Sequence, residues 1–124
     1  AGAGSAAFGA EAGAAAGTGA AAGAGIAYLC GGGYEEVIHT VVNALAIVSG
    51  MVCDGAKASC AAKIAASVDA GILGYNMYLQ GQQFYAGDGI ITKGIEGTID
   101  NVGRLGKDGM KETNEEIIRI MIND

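Results

Sequence analysis

Apolar residues three and four positions apart predict helices along most of this chain. The clearest stripe follows Glu35 and Glu36, whose negative charges suit the first turn of a helix. This stripe consists of Val37, Ile38, Val41, Val42, Leu45, Val48 and Val52. A second stripe begins after Cys60 and extends to Leu79 through Ala61, Ile64, Val68 and Ile72. We expect one amphipathic helix from each stripe.

The last third of the chain predicts two more helices. Residues 80–89 are rich in glycine and glutamine and predict a loose connection. A further stripe at helical spacing follows, made of Ile91, Ile95, Ile99 and Val102. Thr113-Asn114-Glu115-Glu116 matches a capping box, in which a hydroxyl and a carboxylate pair with the first backbone amides of a helix. The final helix is therefore predicted to start at Thr113, ahead of Ile117, Ile120 and Met121.

The first segment is built almost entirely from alanine and glycine. Gly9, Gly13 and Gly17 share one helix face, and Gly19 and Gly23 continue the small-residue spacing. Such a face lets a second helix approach closely or leaves room for a ligand, and close packing is the better interpretation. The chain has no proline and no alternating apolar run. We predict an all-α fold, a compact helical bundle with a tightly packed Gly/Ala-rich core, as a single domain over residues 1–124.

Charge and composition exclude several classes of function. The net charge is −6 and the basic residues are scattered, which argues against nucleic acid as a partner. Residues 12–34 are uncharged but carry few large apolar side chains, and His39 and Asn43 interrupt the next apolar run. Neither segment predicts a membrane span. Three cysteines without a signal-peptide layout indicate a reducing cytoplasm. The opening at Ala1, in mid-pattern, is expected of a fragment, a processed subunit or the ordered part of a longer chain.

The most informative chemistry lies in residues 49–63. Here Gly50 breaks the helix pattern, and Cys53 is followed by Asp54, Gly55 and Lys57 before an alanine-rich helix resumes. A helix start and a nearby cation both favour a thiolate, so this is a typical setting for a reactive or metal-binding cysteine. The alternative is that Cys53 and Cys60 are small buried apolar residues on a helix, as most free cysteines are.

Other chemistries have weaker support. Gly17-Thr18-Gly19 resembles a nucleotide loop, but no strand precedes it and no acidic residue follows at the distance needed for a ribose contact. A zinc site would have to combine Cys53 and Cys60, which are separated by six intervening residues, with the upstream His39. A pyridoxal-phosphate lysine, Lys57 or Lys63, lacks a phosphate-binding glycine loop. His39 is either a half-buried structural histidine or the local imidazole base.

Four ordered stretches point to one family. They are Ala15-Ala16-Gly17-Thr18-Gly19-Ala20, Ala27-Tyr28-Leu29-Cys30-Gly31-Gly32, Met51-Val52-Cys53-Asp54-Gly55-Ala56-Lys57 and Asn101-Val102-Gly103-Arg104-Leu105-Gly106-Lys107-Asp108-Gly109-Met110. Together they resemble the iron–sulfur serine dehydratase alpha-chain family, in particular its L-cysteine desulfidase-like branch. In that family the first stretch is a turn and the second is a helix end. The resemblance covers most of this chain but only the C-terminal part of a family member.

The resemblance implies a lyase. Family members hold a [4Fe–4S] cluster through three cysteines, and its open iron acts as a Lewis acid on the leaving group of serine or cysteine. The products are pyruvate and ammonia, with sulfide in addition from cysteine. Cys53 matches the family's C-terminal cluster ligand. The resemblance assigns substrate binding to Gly17, Thr18, Gly19, Asp54, Gly55 and Lys57. The catalytic base is unknown, and His39 and Lys57 are weak candidates.

One departure from the family pattern changes what is expected of this chain alone. Ala12, or less closely Ala10, occupies the position of a second cluster cysteine. The third cysteine belongs to the family's N-terminal region, and Cys30 and Cys60 match no ligand position. The cluster therefore requires a partner chain or an N-terminal domain, and a homo-oligomer is a further possibility. Two alternatives stay open: a non-catalytic scaffold that has lost the cluster, or a module that binds a small amino acid.

Overall fold

Helices account for nearly all regular structure in this protein. The computed structural model describes residues 2–52, 54 and 57–123. Its elements are α1 (Gly2–Leu29), α2 (Tyr34–Val48), α3 (Ala58–Leu79), α4 (Ile95–Arg104), a π-helical turn (Leu105–Gly109) and α5 (Met110–Asn123). No strand occurs within these described residues, so the predicted all-α fold is confirmed. None of the helices in the described part combines the length and apolarity that crossing a membrane requires.

Glycines at the helix crossings bring α1, α2 and α3 into mutual contact. A Cβ added at Gly71 of α3 would overlap the carbonyl oxygen of Gly19 in α1, and one at Gly23 would lie 2.9 Å from the Cα of Gly71. On the other side of α3, a Cβ at Gly74 would lie 3.0 Å from the Cβ of Asn43 in α2. The predicted tight Gly/Ala core is therefore confirmed. The packing face of α1 includes Gly19 and Gly23, whereas Gly17 has open space beside it.

Buried polar side chains fix how these helices fit together. The amide of Asn43, which is fully buried, donates to the carbonyl of Gly74 at 3.0 Å. Its oxygen accepts from the backbone N–H of Phe84 at 3.3 Å. The buried hydroxyls of Thr40 and Ser67 donate to carbonyls one turn earlier in their own helices. Because Asn43 bonds to both α3 and the segment after it, this side chain anchors residues 80–94 to the helix pair.

The structure corrects the predicted start of the last helix. Helical backbone continues from Ile95 through the π turn to Asn123, so Thr113 lies within α5 and the predicted capping box is wrong. A cap serves N–H groups that lack a carbonyl one turn earlier, and here the preceding residues supply those carbonyls. The helical backbone that includes this segment begins with α4, directly after Gly94. The positive φ of 92° at Gly94 is a conformation that favours a residue without a side chain.

Three further boundaries differ from the prediction. Residues 15–20 lie inside α1 and do not form a turn, since contacts with α2 and α3 hold this small-residue segment in a helix. Val52 lies after the end of α2, and Ile91 lies before the start of α4. Ile91 is nevertheless buried, so its apolar character reflects the core and not a helix stripe. The predicted helix end near Gly31 is confirmed, with a positive φ of 87° at this glycine.

We expect Gly71→Ala to lower the free energy of unfolding by about 1–3 kcal/mol, because the new methyl group meets backbone that cannot move aside without separating α1 from α3. Gly25→Ala is the matched control, since a Cβ at this α1 position has no neighbour within 4 Å. That change should stabilise the helix by up to about 1 kcal/mol. Urea unfolding of both variants measures the difference, and equal midpoints would contradict the proposed crossing.

Candidate functional site

The loop between α2 and α3, residues 49–57, is called the signature loop here, and described residues of this loop and of the π turn line the same pocket. Its volume is about 230 Å³. Met51 and Val52 of the loop lie on one side, and Leu105 and Gly106 of the π turn on another. Ala16 of α1 closes part of the wall. Three stretches that the sequence singled out, residues 15–20, 51–57 and 101–110, therefore each contribute to one pocket.

The π turn shapes this pocket. A π turn holds an extra residue compared with an α turn, and such turns occur frequently at functional sites. Gly106 and Gly109 line the pocket from within this turn, so part of the wall is bare backbone that a ligand can approach closely. Met110 and Thr113 extend the lining into α5. Helical periodicity in the sequence did not predict the π turn, although its two glycines, Gly106 and Gly109, recur three residues apart there.

Apolar side chains dominate the pocket. Of the described side chains that line it, only those of Ser49 and Thr113 are polar, and the Ser49 hydroxyl donates to the carbonyl of Ala46 at 2.8 Å. A neighbouring pocket of about 310 Å³ shares Ala16, Leu45 and Val102 with it and also includes Gly17. The charged groups of an amino acid would therefore need partners outside this lining.

Charged side chains lie further along the same loop. The Asp54 carboxylate accepts from the ammonium groups of Lys57 and Lys63, each at 2.6 Å. The hydrogen bond from Lys57, followed by that from Lys63, holds the pKa of Asp54 well below its ordinary value of 3.8, against a smaller opposing effect of desolvation. Lys63, on α3, was not singled out as a binding residue from the sequence, because its contact with Asp54 bridges nine positions and follows no helical spacing.

His39 lies in a different pocket. Its ring stacks on Tyr78, with 4.9 Å between ring centroids and planes 7° apart, and its Nε2 lies 3.3 Å from the Glu35 carboxylate. It lines a pocket of about 220 Å³ together with Phe84 and Lys93. This pocket shares no lining residue with the one beside the signature loop. The structure does not bring His39 together with the pocket at the signature loop.

The remaining predicted site residues are dispersed. Thr18 is exposed, and Gly19 is buried against Ser67 of α3. Cys53 and Gly55 lie outside the described residues, as does the side chain of Ala12. Cys30 is exposed at the end of α1, and Cys60 lies in the first turn of α3. Within the described part of the chain, no group of three or more His, Cys, Asp or Glu side chains could hold a metal ion.

Comparison with known proteins identifies the class to which this helical fold and signature loop belong. The serine dehydratase alpha chain family model matches residues 3–119. This chain therefore belongs to the serine dehydratase alpha chain family. No solved structure matches it.

Several relatives share high identity with this chain. It is 74% identical over 98 residues to the UPF0597 protein of Desulfitobacterium hafniense (strain Y51), covering 79% of this chain and 23% of that protein. It is 54% identical over 122 residues to the UPF0597 protein of Lachnoclostridium phytofermentans, covering 98% of this chain and 26% of that protein. The UPF0597 protein of Latilactobacillus sakei is 41% identical to this chain over 119 residues, covering 96% of this chain and 25% of that protein. The chain spans about a quarter of the length of these relatives.

We expect Asp54→Asn to lower stability most at neutral pH. Because the folded-state pKa is lowered, the stabilisation from ionised Asp54 is fully present above the ordinary value of 3.8 and is lost as the pH falls below it. The difference in unfolding midpoint between the wild type and the variant should therefore be small and constant at neutral pH and shrink in acid. In a Lys57→Met, Lys63→Met background the same substitution should lose this pH dependence. Thermal unfolding across pH measures both, and a difference that grows in acid would contradict the assignment.

Proposed function

We propose that this chain forms part of a lyase that carries out α,β-elimination on a small β-substituted L-amino acid, serine or cysteine. The products are pyruvate and ammonia, with sulfide in addition from cysteine. The observation that carries this proposal is the convergence of residues 15–20, 51–57 and 101–110 on one pocket, with Asp54 and Lys57 further along the loop. Membership of the serine dehydratase alpha chain family supports it.

The chain's own residues have distinct roles in this proposal. The apolar pocket receives the β-carbon and its substituent and keeps water from them. The Lys57 ammonium binds the α-carboxylate of the substrate, since its side chain is half exposed and stands on the loop that borders the pocket. Gly106 and Gly109 let the substrate approach the backbone of the π turn. The described side chains that line the pocket include no strong base, so this proposal assigns removal of the α-proton to none of them.

The donor set of this chain does not fit a complete [4Fe–4S] cluster. Such clusters are held by cysteine thiolates, and Cys53 is the residue that matches a family ligand position. Ala12, at a second such position, has no donor atom. Cys30 and Cys60, at the end of α1 and the start of α3, match none. The remaining ligands would come from another part of the polypeptide or from a partner chain. Since such a cofactor and three cysteines need a reducing compartment, we propose a cytoplasmic location.

A second candidate function follows from Ala12. A chain that lacks a thiolate at a family ligand position is also consistent with a scaffold that kept the fold and lost the cofactor. The two functions differ in whether the assembled protein binds iron.

We expect the full-length protein containing this chain, purified and reconstituted without oxygen, to hold iron and acid-labile sulfide in stoichiometric amounts and to form pyruvate from serine or cysteine. Cys53→Ala should abolish both, because it removes the matching thiolate. Cys30→Ala is the matched control and should change neither, since Cys30 is exposed at the end of α1. Iron absent from the full-length wild type would contradict the lyase and favour the scaffold.

We expect Lys57→Met to raise the KM for the amino acid by about 10–100-fold, the loss expected for one charge-assisted hydrogen bond to a carboxylate. Lys93→Met, which removes a lysine from the separate His39 pocket, should leave KM unchanged. Steady-state kinetics of both variants measures the effect. An unaltered KM in Lys57→Met would remove Lys57 from substrate binding.

A further inference from the structure

We propose that Lys63 is a positioning residue for the signature loop. It holds Asp54 against α3 and leaves Lys57 able to exchange Asp54 for the carboxylate of the substrate. The part that concerns substrate rests on the proposed lyase function. The part that concerns the loop is independent of it, because it follows from contacts within this chain.

Among the described residues, the Lys63–Asp54 pair joins the loop to the body of α3. The backbone hydrogen bond from Met51 N–H to the carbonyl of Val48, at 3.0 Å, joins the loop to the end of α2. The Lys57–Asp54 pair joins residues three positions apart and stays within the loop. In contrast, the Nζ of Lys63 reaches Asp54 from the second turn of α3, at 2.6 Å. Without this ion pair, Asp54 would lose its contact with the second turn of α3.

Lys63 is also the better anchored of the two lysines. Its side chain is 23% exposed, whereas that of Lys57 is 52% exposed. The carbonyl of Lys63 accepts the Ser67 hydroxyl at 2.8 Å, and Ser67 is fully buried against Gly19 of α1. Lys63 thus lies one turn before a residue that is buried at the crossing of α1 and α3. An ion pair made from such a fixed position costs less side-chain entropy than one made by a mobile lysine.

The charges of this cluster suit an exchange of partners. Among the described residues, the carboxylate of Asp54 accepts from two ammonium groups, those of Lys57 and Lys63. A substrate carboxylate would offer the half-exposed Lys57 a second acidic partner. The exposed Lys57 is the ammonium that can turn to a new partner, while Lys63 retains Asp54. This division predicts that Lys57 governs substrate affinity and that Lys63 governs the geometry of the loop.

Hydrogen exchange and kinetics of the full-length protein test this division of roles. In Lys63→Met, amides of residues 50–57 should exchange about tenfold faster, because the loop has lost its link to α3. Lys63→Arg, which can still donate to Asp54, should restore most of the protection. Lys57→Met should leave exchange in this segment within about twofold of wild type, because its contact is local.

In the kinetic part, Lys63→Met should lower kcat by about tenfold with little change in KM, and Lys63→Arg should recover most of it. Unchanged exchange in Lys63→Met would overturn the positioning role whatever the activity. A raised KM with unchanged kcat would make Lys63 a binding residue and overturn the division of roles. A wild type without lyase activity would reject the proposed function alone, and the exchange data would still decide whether Lys63 holds the loop.

Discussion

Helices α1 and α2 can lie against α3 as closely as they do because at least one glycine stands at each crossing. Gly19 and Gly23 meet Gly71 on one side of α3, and Gly74 faces Asn43 on the other. Close approach replaces the large side chains of an ordinary core with backbone contacts, each weak but numerous. It also brings backbone carbonyls within reach of buried polar groups, as in the hydrogen bond from Asn43 to Gly74. The register of the three helices is therefore set by where glycine occurs and where Asn43 finds its partner.

This three-helix unit fixes both ends of the signature loop. The loop leaves the end of α2 at Val48 and enters α3 at Ala58, and both helices are held by the glycine crossings. The long helical stretch from Ile95 to Asn123 packs on this unit through contacts of α4 with α2 and of the π turn and α5 with α1. The pocket lies where the π turn meets the loop between α2 and α3, and both segments contribute to its lining. It therefore stands between the tightly packed three-helix unit and the irregular turn of the long helical stretch.

Local patterns in the sequence were sufficient for much of this fold and for less of the site. The stripe that begins at Val37 and the helical run that ends at Leu79 were predicted from spacing alone, because amphipathic periodicity records which face is buried. The continuous helical backbone from α4 through the π turn to α5 was not predicted, because Thr113 carries a capping signal that tertiary contacts override. The ion pair between Asp54 and Lys63 was missed for a related reason: its partners are brought together by the course of the loop and not by helical spacing. The role of Cys53 stays a prediction.

A core built from small residues leaves many of the large apolar side chains outside it. Leu29 is 84% exposed and Ile122 is 76% exposed, and similar exposure is found at Leu79 and Met121. These residues lie on α1, α3 and α5, so no single helix accounts for them. Exposed apolar surface of this extent is typical of contact sites, and the relatives of this chain are about four times its length. The distribution of apolar side chains therefore supports the same conclusion as the incomplete donor set around Cys53. In the proposed enzyme, this chain supplies the pocket and the lysine-held loop, and residues outside it complete the site.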